Sequence, residues 1–542
     1  MAKVFCSKHA LLIVALVLSA CGNPAKPPAT PALAATHKWA PNAFRFIPAE
    51  TPYLFAAMDN GSNAVSRKLF ADAVDGAKNK LILQLRGTDT PWARAMLALA
   101  DEIAADRNNS WQAHLGLEED LHYVLYGLSI WPVLRLNVTN PNRLRAVIQR
   151  TIDLAGLGVS SVKTAEATYW KYLEPNDNAL IFVAVTDREL VATVMPSGVF
   201  AQALPYLLGS MLPDASLAQS SRIPTMMQRN GFTETHIGFV DFQHAAAIAF
   251  GRGTALETAL RDVFNGTQID AACRSDIDRL VALAPRMLWG MTQLNETGMA
   301  ASMMLELDPV LHHSLAAMQT PSASFSIEGV ANSIFAFGGA LDAEKMIKTL
   351  GSLGAAVQAR PFQCAQLAPV NEAIAKLQRG VDQQLPPQLR GINGFMFAIH
   401  EFATKPLNIE GFAMFEGVDT AAILQLVGGL LGNNPPRDGS AIAIPTASMG
   451  LPPQTTAHVA LTPSRIAVGV GPQSETWVSK AAATPSDAHP PLVFFHYDFP
   501  RLKEMMIQVG SPLEQTESQI GVGTMVVNIS DRGLRFDVSA TW

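Results

Sequence analysis

The sequence predicts an α+β fold made of repeated units, in each of which a hairpin of two strands is followed by a helix. Three observations lead to this prediction. Short segments alternate apolar and polar residues with the period of a strand, an Asp, Asn or Pro suited to starting a helix follows them, and a segment of helical periodicity comes next, often ending at Gly. Because each helix follows a hairpin, we expect antiparallel sheets with helices packed on one face.

The clearest unit lies in the first third of the chain. Residues 121–128 and 133–138 alternate as two strands, and Asn140-Pro141-Asn142 provides a start for a helix. That helix is predicted over residues 143–155, with Gly156 as its stop.

The same order of elements recurs later in the chain. The further copies are strands 324–328 and 333–337 with a helix over 343–353 before Gly354, strands 395–398 and 409–415 with a helix over 420–431, and strand 492–497 with a helix to Gly510. Shorter relatives are strand 237–240 with Asp241 and strand 299–307 with Asp308.

The cysteines mark a larger duplication. Cys273 and Cys364 each open a predicted helix, and each of these helices is followed by a hairpin, an Asp and another helix. We interpret this order as internal repetition. It predicts two related α+β domains, residues 44–320 and 321–542, joined near residues 318–323.

Composition excludes some classes of partner. The chain has 542 residues, more than one core normally holds, and 40 Lys and Arg against 46 Asp and Glu. A nucleic-acid partner would require a basic face, so none is expected. After residue 21, no window of 18 residues is apolar enough for a second membrane segment.

The first 21 residues have the organisation of an export signal. Lys3 and Lys8 precede an apolar run over residues 11–18, and Leu18-Ser19-Ala20-Cys21 ends the segment. This pattern resembles the lipobox of bacterial lipoproteins. The resemblance implies that residues 1–20 are a signal peptide, that Cys21 carries the lipid, and that the mature chain is tethered to a membrane. The alternative is an ordinary signal peptide cut near Ala20 or Ala35.

The resemblance also implies a location. Gly22, rather than Asp, follows the cysteine, which in such lipoproteins usually accompanies release to the outer membrane. Residues 21–43 then form the acylated cysteine and a Pro/Ala tether, whose first 16 or so residues after Cys21 can span up to roughly 50 Å. Without the two basic residues of the signal peptide, the formal charge changes from −6 to −8. The body of the protein is therefore expected in the periplasm, with the membrane as a partner through the lipid.

The remaining two cysteines predict one disulfide. Cys6 belongs to the signal peptide and Cys21 to the lipid site, which leaves Cys273 and Cys364. In an oxidising compartment such a pair forms a disulfide, although two buried free thiols remain the alternative. The sequence contains no Cys-x-x-Cys motif and no Cys/His spacing of a zinc site.

Motifs of catalysis are absent from the sequence. It has no Gly-x-Ser-x-Gly, P-loop, His-Glu-x-x-His or dinucleotide-binding fingerprint, so we predict no catalytic residue, cofactor or metal site. Three weaker patterns are interpreted structurally. These are Glu118-Glu119-Asp120 as a solvated turn rather than a cation site, His312-His313 as a solvated helix surface, and Trp131 and Trp170 as packed aromatic residues rather than sugar-binding ones.

Three functional hypotheses follow. Ile47-Pro48-Ala49-Glu50-Thr51-Pro52-Tyr53 looks like the start of some secreted bacterial proteins built from the same strand and helix unit, whose activity is unknown. The first hypothesis is a non-catalytic binding or scaffold lipoprotein of the outer membrane that binds an envelope protein or another envelope component. The second is a carrier or chaperone for an apolar ligand in a cavity lined by Met and Leu. The third is an enzyme without a recognisable motif.

Overall fold

The computed structural model describes most of the chain after residue 39. The described residues are 40–58, 82–83, 85, 87–104, 111–118, 121–173, 178–261, 270–323, 330–382, 390–404, 407–421, 424, 431, 435–446, 452, 455–487, 489–510 and 521–542. Its helices and antiparallel strands confirm the α+β class. In this part of the chain, no helix combines the length and apolar character needed to cross a membrane.

The described chain divides into two compact units. Unit 1 contains the residues up to Glu296 together with Ala301–Met303, and unit 2 contains Thr297–Ala300 and the residues from Met304 onward. Strand β10, defined below, is therefore divided between the units.

Nine strands and nine α-helices lie entirely within the described residues of unit 1. The strands are β1 (Tyr53–Ala57), β2 (Tyr123–Leu128), β3 (Trp131–Asn137), β4 (Val162–Lys163), β5 (Thr168–Leu173), β6 (Ala179–Val185), β7 (Glu189–Pro196), β8 (Ile237–Asp241) and β9 (Arg286–Asn295). The helices are α1 (Ala40–Phe44), α2 (Pro91–Ala104), α3 (Trp111–Leu115), α4 (Pro141–Ala155), α5 (Ser197–Leu208), α6 (Arg222–Asn230), α7 (Phe242–Ala249), α8 (Ala255–Arg261) and α9 (Ala271–Leu283).

The strands of unit 1 form one antiparallel sheet. Its order is β4-β5-β6-β7-β3-β2-β1-β8-β9. The hairpin of β2 and β3 and the helix α4 after it match the predicted first unit. Asn140 caps α4 by accepting from Arg143 N, and Gly156 ends it with a left-handed φ of 64°.

Helices pack on both faces of this sheet, so the prediction of a single covered face is wrong for unit 1. Trp170 of β5 donates Nε1–H to Gln149 of α4, whereas Phe182 of β6 contacts Phe200 of α5 at a ring distance of 5.2 Å. Trp170 is paired with Val183, the neighbour of Phe182, so the two contacts lie on opposite faces. The physical reason is visible in β2, whose every residue is buried and which therefore requires cover on both sides.

Unit 2 follows the same class of architecture. Its strands are β10 (Gly298–Glu306, in part), β11 (Ser322–Ala323), β12 (Phe335–Gly339), β13 (Gly394–Thr404), β14 (Leu407–Glu416), β15 (Ala441–Ala443), β16 (Ala457–Leu461), β17 (Arg465–Val470), β18 (Ser486–Asp487), β19 (Val493–Asp498), β20 (Val522–Ile529) and β21 (Gly533–Thr541). Its helices are α10 (Pro309–Ala316), α11 (Ala343–Ala359), α12 (Ala368–Asp382), α13 (Ser474–Ala483) and α14 (Phe499–Gln508).

The main sheet of unit 2 is also antiparallel. Its order is β15-β16-β17-β14-β13-β12-β19-β20-β21, and β11 pairs separately with β18. Apolar side chains of different sizes fill the core between this sheet and α13, among them Ala398, Met414 and Phe494 of the sheet and Val478 of the helix.

Polar caps begin many of the helices, as the sequence predicts. Six of the described helices start at an Asn or Asp whose side chain accepts a hydrogen bond from a backbone N–H of the first turn. These caps are Asn140, Asp241, Asp270, Asp308, Asp342 and Asp498.

One predicted helix end is wrong. The helix from Ala343 was expected to end before Gly354, but α11 continues to Ala359. Gly354 is buried, and a Cβ at this position would lie 2.2 Å from Gln378 Oε1 of α12. This glycine therefore allows two helices to approach each other and does not end the first. The predicted strand 324–328 and most of the predicted helix 420–431 lie outside the described residues.

Candidate functional site

A cleft of about 840 Å³, lined by both polar and apolar groups, lies at one end of the sheet of unit 1. It is lined where β3 ends and β7 begins, with further residues from α1, from the end of α5 and from the turns before β5 and β7. This volume is within the range of binding sites for small ligands. Acidic, basic and amide side chains all contribute to its surface, together with Phe46, Met58 and Leu208.

Arg135 forms the most deeply buried part of the cleft. Its Nη1 lies 2.7 Å from Glu189 Oε2, and Nη2 donates to the carbonyl groups of Tyr206 and Leu207 at the end of α5. Its guanidinium group also lies 4.0 Å from the centre of the Phe46 ring. Although burial by itself disfavours the charged form, Tyr126 and Glu189 raise the pKa of Arg135 above its ordinary value. Arg135 therefore holds α5 against the sheet as a fixed cation.

Glu118 occupies another wall of the cleft. Its Oε2 accepts from Asn137 Nδ2 at 2.6 Å and lies 2.7 Å from His122 Nδ1. The backbone N–H of Asn137 donates to the carbonyl of His122, which holds the two donors at adjacent strand ends. This carboxylate is thus oriented by two side chains before any ligand binds.

Charged residues at the mouth of the cleft are exposed. Arg45 lies over the Phe46 ring at 4.5 Å, and Arg188 follows Asp187 in the turn between β6 and β7. The backbone N–H groups of Arg188 and Glu189 both donate to Thr186 Oγ1, which fixes the conformation of this turn. The mouth therefore presents charged side chains on a backbone whose conformation is set locally.

A related ion pair is found in unit 2. Arg465 Nη2 lies 2.9 Å from Glu416 Oε1, and Arg465 Nη1 donates to carbonyl groups of Ala481 and Ala482 at the end of α13. The hydroxyl groups of Ser322 and Ser486, from β11 and β18, also donate to Glu416. Both carboxylate oxygens of Glu416 are therefore engaged by protein groups.

A second cluster with altered acid-base properties lies in unit 2. His400 lies at a register irregularity between β13 and β14, and its ring stacks on Trp477 at 4.3 Å. Burial lowers the pKa of His400 and raises the pKa of Glu410 on β14. Both shifts favour the neutral form, as expected for groups packed in a core.

The structure locates several of the residues considered in the sequence. Cys273 and Cys364 form the expected disulfide, whereas Cys21, Gly22, Glu119 and Asp120 lie outside the described residues. Trp131 and Trp170 are buried and donate to Leu260 O and Gln149 Oε1, which confirms that they are packed residues. His312 Nε2 lies 2.7 Å from Ser530 O, and no group of three or more His, Cys, Asp or Glu residues suited to a metal is found in the described part of the chain.

No pattern in the sequence indicates the cleft. The residues around Glu118 suggest a solvated turn, and no motif marks Arg135, Asn137 or Glu189 as part of a site. One signal was present, because Arg135 follows Trp131 and Val133 with the period of two that marks the buried face of β3. A charged residue in a buried register indicates a partner across the sheet.

Comparison with known proteins gave no match: no protein family, curated protein or solved structure matches this chain. The function proposed below therefore rests on the lipobox and on the geometry of the cleft.

Proposed function

We propose that this protein is a periplasmic lipoprotein, anchored to the outer membrane through acylated Cys21, which uses the cleft of unit 1 to bind another component of the cell envelope. The observation that carries the binding function is the cleft itself, with about 840 Å³ of space and pre-oriented polar groups. Binding without catalysis is proposed because the sequence offers no catalytic motif.

The lipobox and the cysteines support the proposed location. Leu18-Ser19-Ala20-Cys21 follows a charged and an apolar segment, and Gly22 favours the outer membrane. The disulfide of Cys273 and Cys364 is the form expected in an oxidising compartment.

A photo-crosslinking experiment tests the binding function. A photoreactive amino acid at Ala165, an exposed residue that lines the cleft, is expected to capture an envelope component in intact cells. The same group at Ala373, an exposed residue of α12, provides the control. Capture at Ala165 and not at Ala373 supports the proposal, whereas equal or no capture at the two positions contradicts it.

The lipid anchor is tested separately. Radiolabelled palmitate is expected to enter the wild-type protein but not the Cys21→Ser variant, and that variant should lose its association with outer-membrane fractions. If the wild-type protein takes up no label, the lipid anchor is refuted, but the proposed binding function of the cleft is not affected.

We also propose that units 1 and 2 descend from a duplication, in line with the two related domains, residues 44–320 and 321–542, expected from the sequence. Eight strands support this proposal, because β5-β6-β7-β3-β2-β1-β8-β9 and β15-β16-β17-β14-β13-β12-β19-β20 have the same order in the chain and in the sheet. In both units a buried Arg–Glu pair joins corresponding strands, and the Arg caps the end of the helix that follows β7 or β17.

An apolar ligand is the second candidate, and one observation favours it. On one face of the sheet of unit 2, Phe337 is paired with Phe397 and Phe495, and Phe397 and Phe415 are 43% and 41% exposed. A fluorescent fatty acid should bind the wild-type protein and not the Phe397→Glu variant. Val310→Glu, at a valine that is 75% exposed on α10, provides the control.

A further inference from the structure

Most acidic side chains that line the cleft already have partners within the protein. These are Glu118, which accepts from Asn137, Glu189, which accepts from Arg135, and Asp187, whose Oδ1 lies 3.6 Å from Arg145 Nη2. Their ability to accept further hydrogen bonds from a ligand is therefore reduced.

Two arginines that line the cleft differ from these acids, because their side chains have no such partners in the described part of the chain. Among the described residues, neither the Arg45 nor the Arg188 guanidinium group has a hydrogen-bond acceptor or a carboxylate within ion-pair distance. The Arg45 guanidinium group lies 4.5 Å from the centre of the Phe46 ring, and this ring packs on Gly209, where a Cβ would lie 2.6 Å from it. The backbone of Arg188 is fixed in its turn, because its N–H donates to Thr186 Oγ1.

We propose that the cleft recognises its ligand through a carboxylate or phosphate group bound by Arg45 and Arg188, an inference that rests on the proposed binding function of the cleft. A guanidinium group presents planar N–H donors that match both anions in a bidentate arrangement. The apolar side chain of Leu208, which also lines the cleft, accommodates an uncharged part of the same molecule.

A cationic ligand fits the cleft less well. Among the described lining residues, Glu166 is the acid whose carboxylate has no partner, and a cation bound there would share the cleft with two arginines that have no acceptor. The selectivity for an anion is local, because the chain as a whole carries a net charge of −6. The anion is therefore bound by two arginine side chains of the cleft rather than by the overall field of the protein.

Arginine modification with phenylglyoxal tests this inference on the full chain. Inorganic phosphate and succinate are added in separate experiments at constant ionic strength, with glycerol as the uncharged control, and the modification rate of each arginine is read by mass spectrometry. We expect phosphate or succinate to slow modification of Arg45 and Arg188, and the anion that does so identifies the recognised group. Arg229, an exposed arginine of α6 away from the cleft, should be modified at an unchanged rate.

Substitution of the arginines provides the second measurement. Arg45→Gln should weaken the protection of Arg188 by the anion about tenfold or more, and Arg188→Gln should do the same for Arg45, because each variant loses charge-assisted hydrogen bonds. Arg229→Gln, which removes an exposed positive charge elsewhere in unit 1, should leave protection unchanged. All three side chains are exposed, so the variants are expected to fold.

The outcomes separate this inference from the proposed function. If neither anion protects the two arginines, or if Arg229 is protected equally, recognition of an anion is refuted. If crosslinking at Ala165 nevertheless captures an envelope component, the binding function stands without this inference. If the anions protect but crosslinking captures nothing, anion recognition stands and the proposed function fails.

Discussion

Arg135 and Glu189 form a buried ion pair in unit 1, and Glu416 and Arg465 form its counterpart in unit 2 with the acid and the base exchanged between the corresponding strands. Arg135 lies on β3 and Glu189 on β7, whereas Glu416 lies on β14 and Arg465 on β17. In each unit the arginine also binds the last carbonyl groups of a helix, α5 after β7 in unit 1 and α13 after β17 in unit 2. One side chain thus connects two strands and a helix.

Loss of Arg135 should strongly destabilise the protein. Arg135→Met leaves Glu189 without its cation and removes the donor to Tyr206 O and Leu207 O, so the free energy of unfolding should fall by roughly 3–5 kcal/mol. Urea denaturation monitored by circular dichroism measures this change. Arg150→Met, which removes an arginine that is 52% exposed and paired with Glu102, should cost less than about 1 kcal/mol. Equal costs for the two variants would show that the buried pair is not structurally important.

The pair of His244 and Glu257 should make stability depend on pH. The hydrogen bond to Glu257 raises the pKa of His244, while bonds from His244 and Thr254 outweigh burial and lower the pKa of Glu257. The contribution of His244 is therefore complete below its unfolded pKa of about 6.5 and is lost as the pH rises through the raised folded value. The contribution of Glu257 is present above about pH 4.5 and is lost as the pH falls through its lowered folded value.

The variant His244→Gln measures this dependence. It should lower the free energy of unfolding by about 2 kcal/mol near pH 6, where both partners are charged, and by less near pH 9. Denaturant titrations of both proteins at a series of pH values provide the comparison. A difference that does not change with pH would mean that the charge on His244 does not contribute.

The disulfide should contribute substantially to stability. Cys273 and Cys364 are 91 residues apart in the sequence, and a cross-link that closes a loop of this length stabilises by roughly 4–5 kcal/mol in the chain-entropy model. Cys364→Ser should shift the guanidinium midpoint downward, and reduction of the wild-type protein should reproduce this shift. If the Cys273→Ser, Cys364→Ser double variant were as stable as wild type, the stabilising role of the bond would be refuted.

Replacement of two glycines by alanine should change the stability of the protein in opposite directions. At Gly238 of β8 a Cβ would lie 1.8 Å from Trp289 Nε1, so Gly238→Ala should displace the indole and cost roughly 1–3 kcal/mol. At Gly380, in the last turn of α12, a Cβ would meet no atom within 4 Å, and Gly380→Ala should stabilise by roughly 0.5–1 kcal/mol. Thermal unfolding of the two variants checks both signs, and a destabilised Gly380→Ala would contradict the open surroundings of this residue.

The sequence predicts helix boundaries well where a side chain binds backbone groups of its own segment. The caps Asn140 and Asp498 and the left-handed stop Gly156 identified helix boundaries, because each acts on backbone groups within three residues. Gly354 was misinterpreted, since its role depends on Gln378 of another helix. The prediction of helices on one face failed for unit 1 because alternation within a strand does not reveal what covers its other side.

The cleft could not be predicted because its residues are distant in the sequence. Arg45, Glu118, Asn137 and Glu189 come together only when α1 and the ends of β3 and β7 are placed in the fold. None of them belongs to a motif with fixed spacing. Only Arg135 carried a detectable signal, through its buried register in β3.

The exchanged polarity of the two ion pairs has a consequence for how a chain with two units of the same strand order reaches its native state. Nascent halves of similar topology risk inserting a strand from one half into the other. Such an insertion would bring Arg135 against Arg465, or Glu189 against Glu416, and like charges buried together are costly. The exchanged polarity thus favours pairing between strands of the same unit. The reciprocal variant Glu416→Arg, Arg465→Glu gives both units the same polarity. We predict that it refolds from denaturant with a lower yield and more aggregate than the wild-type protein. An unchanged yield would show that the polarity of the ion pairs does not guide which strands pair.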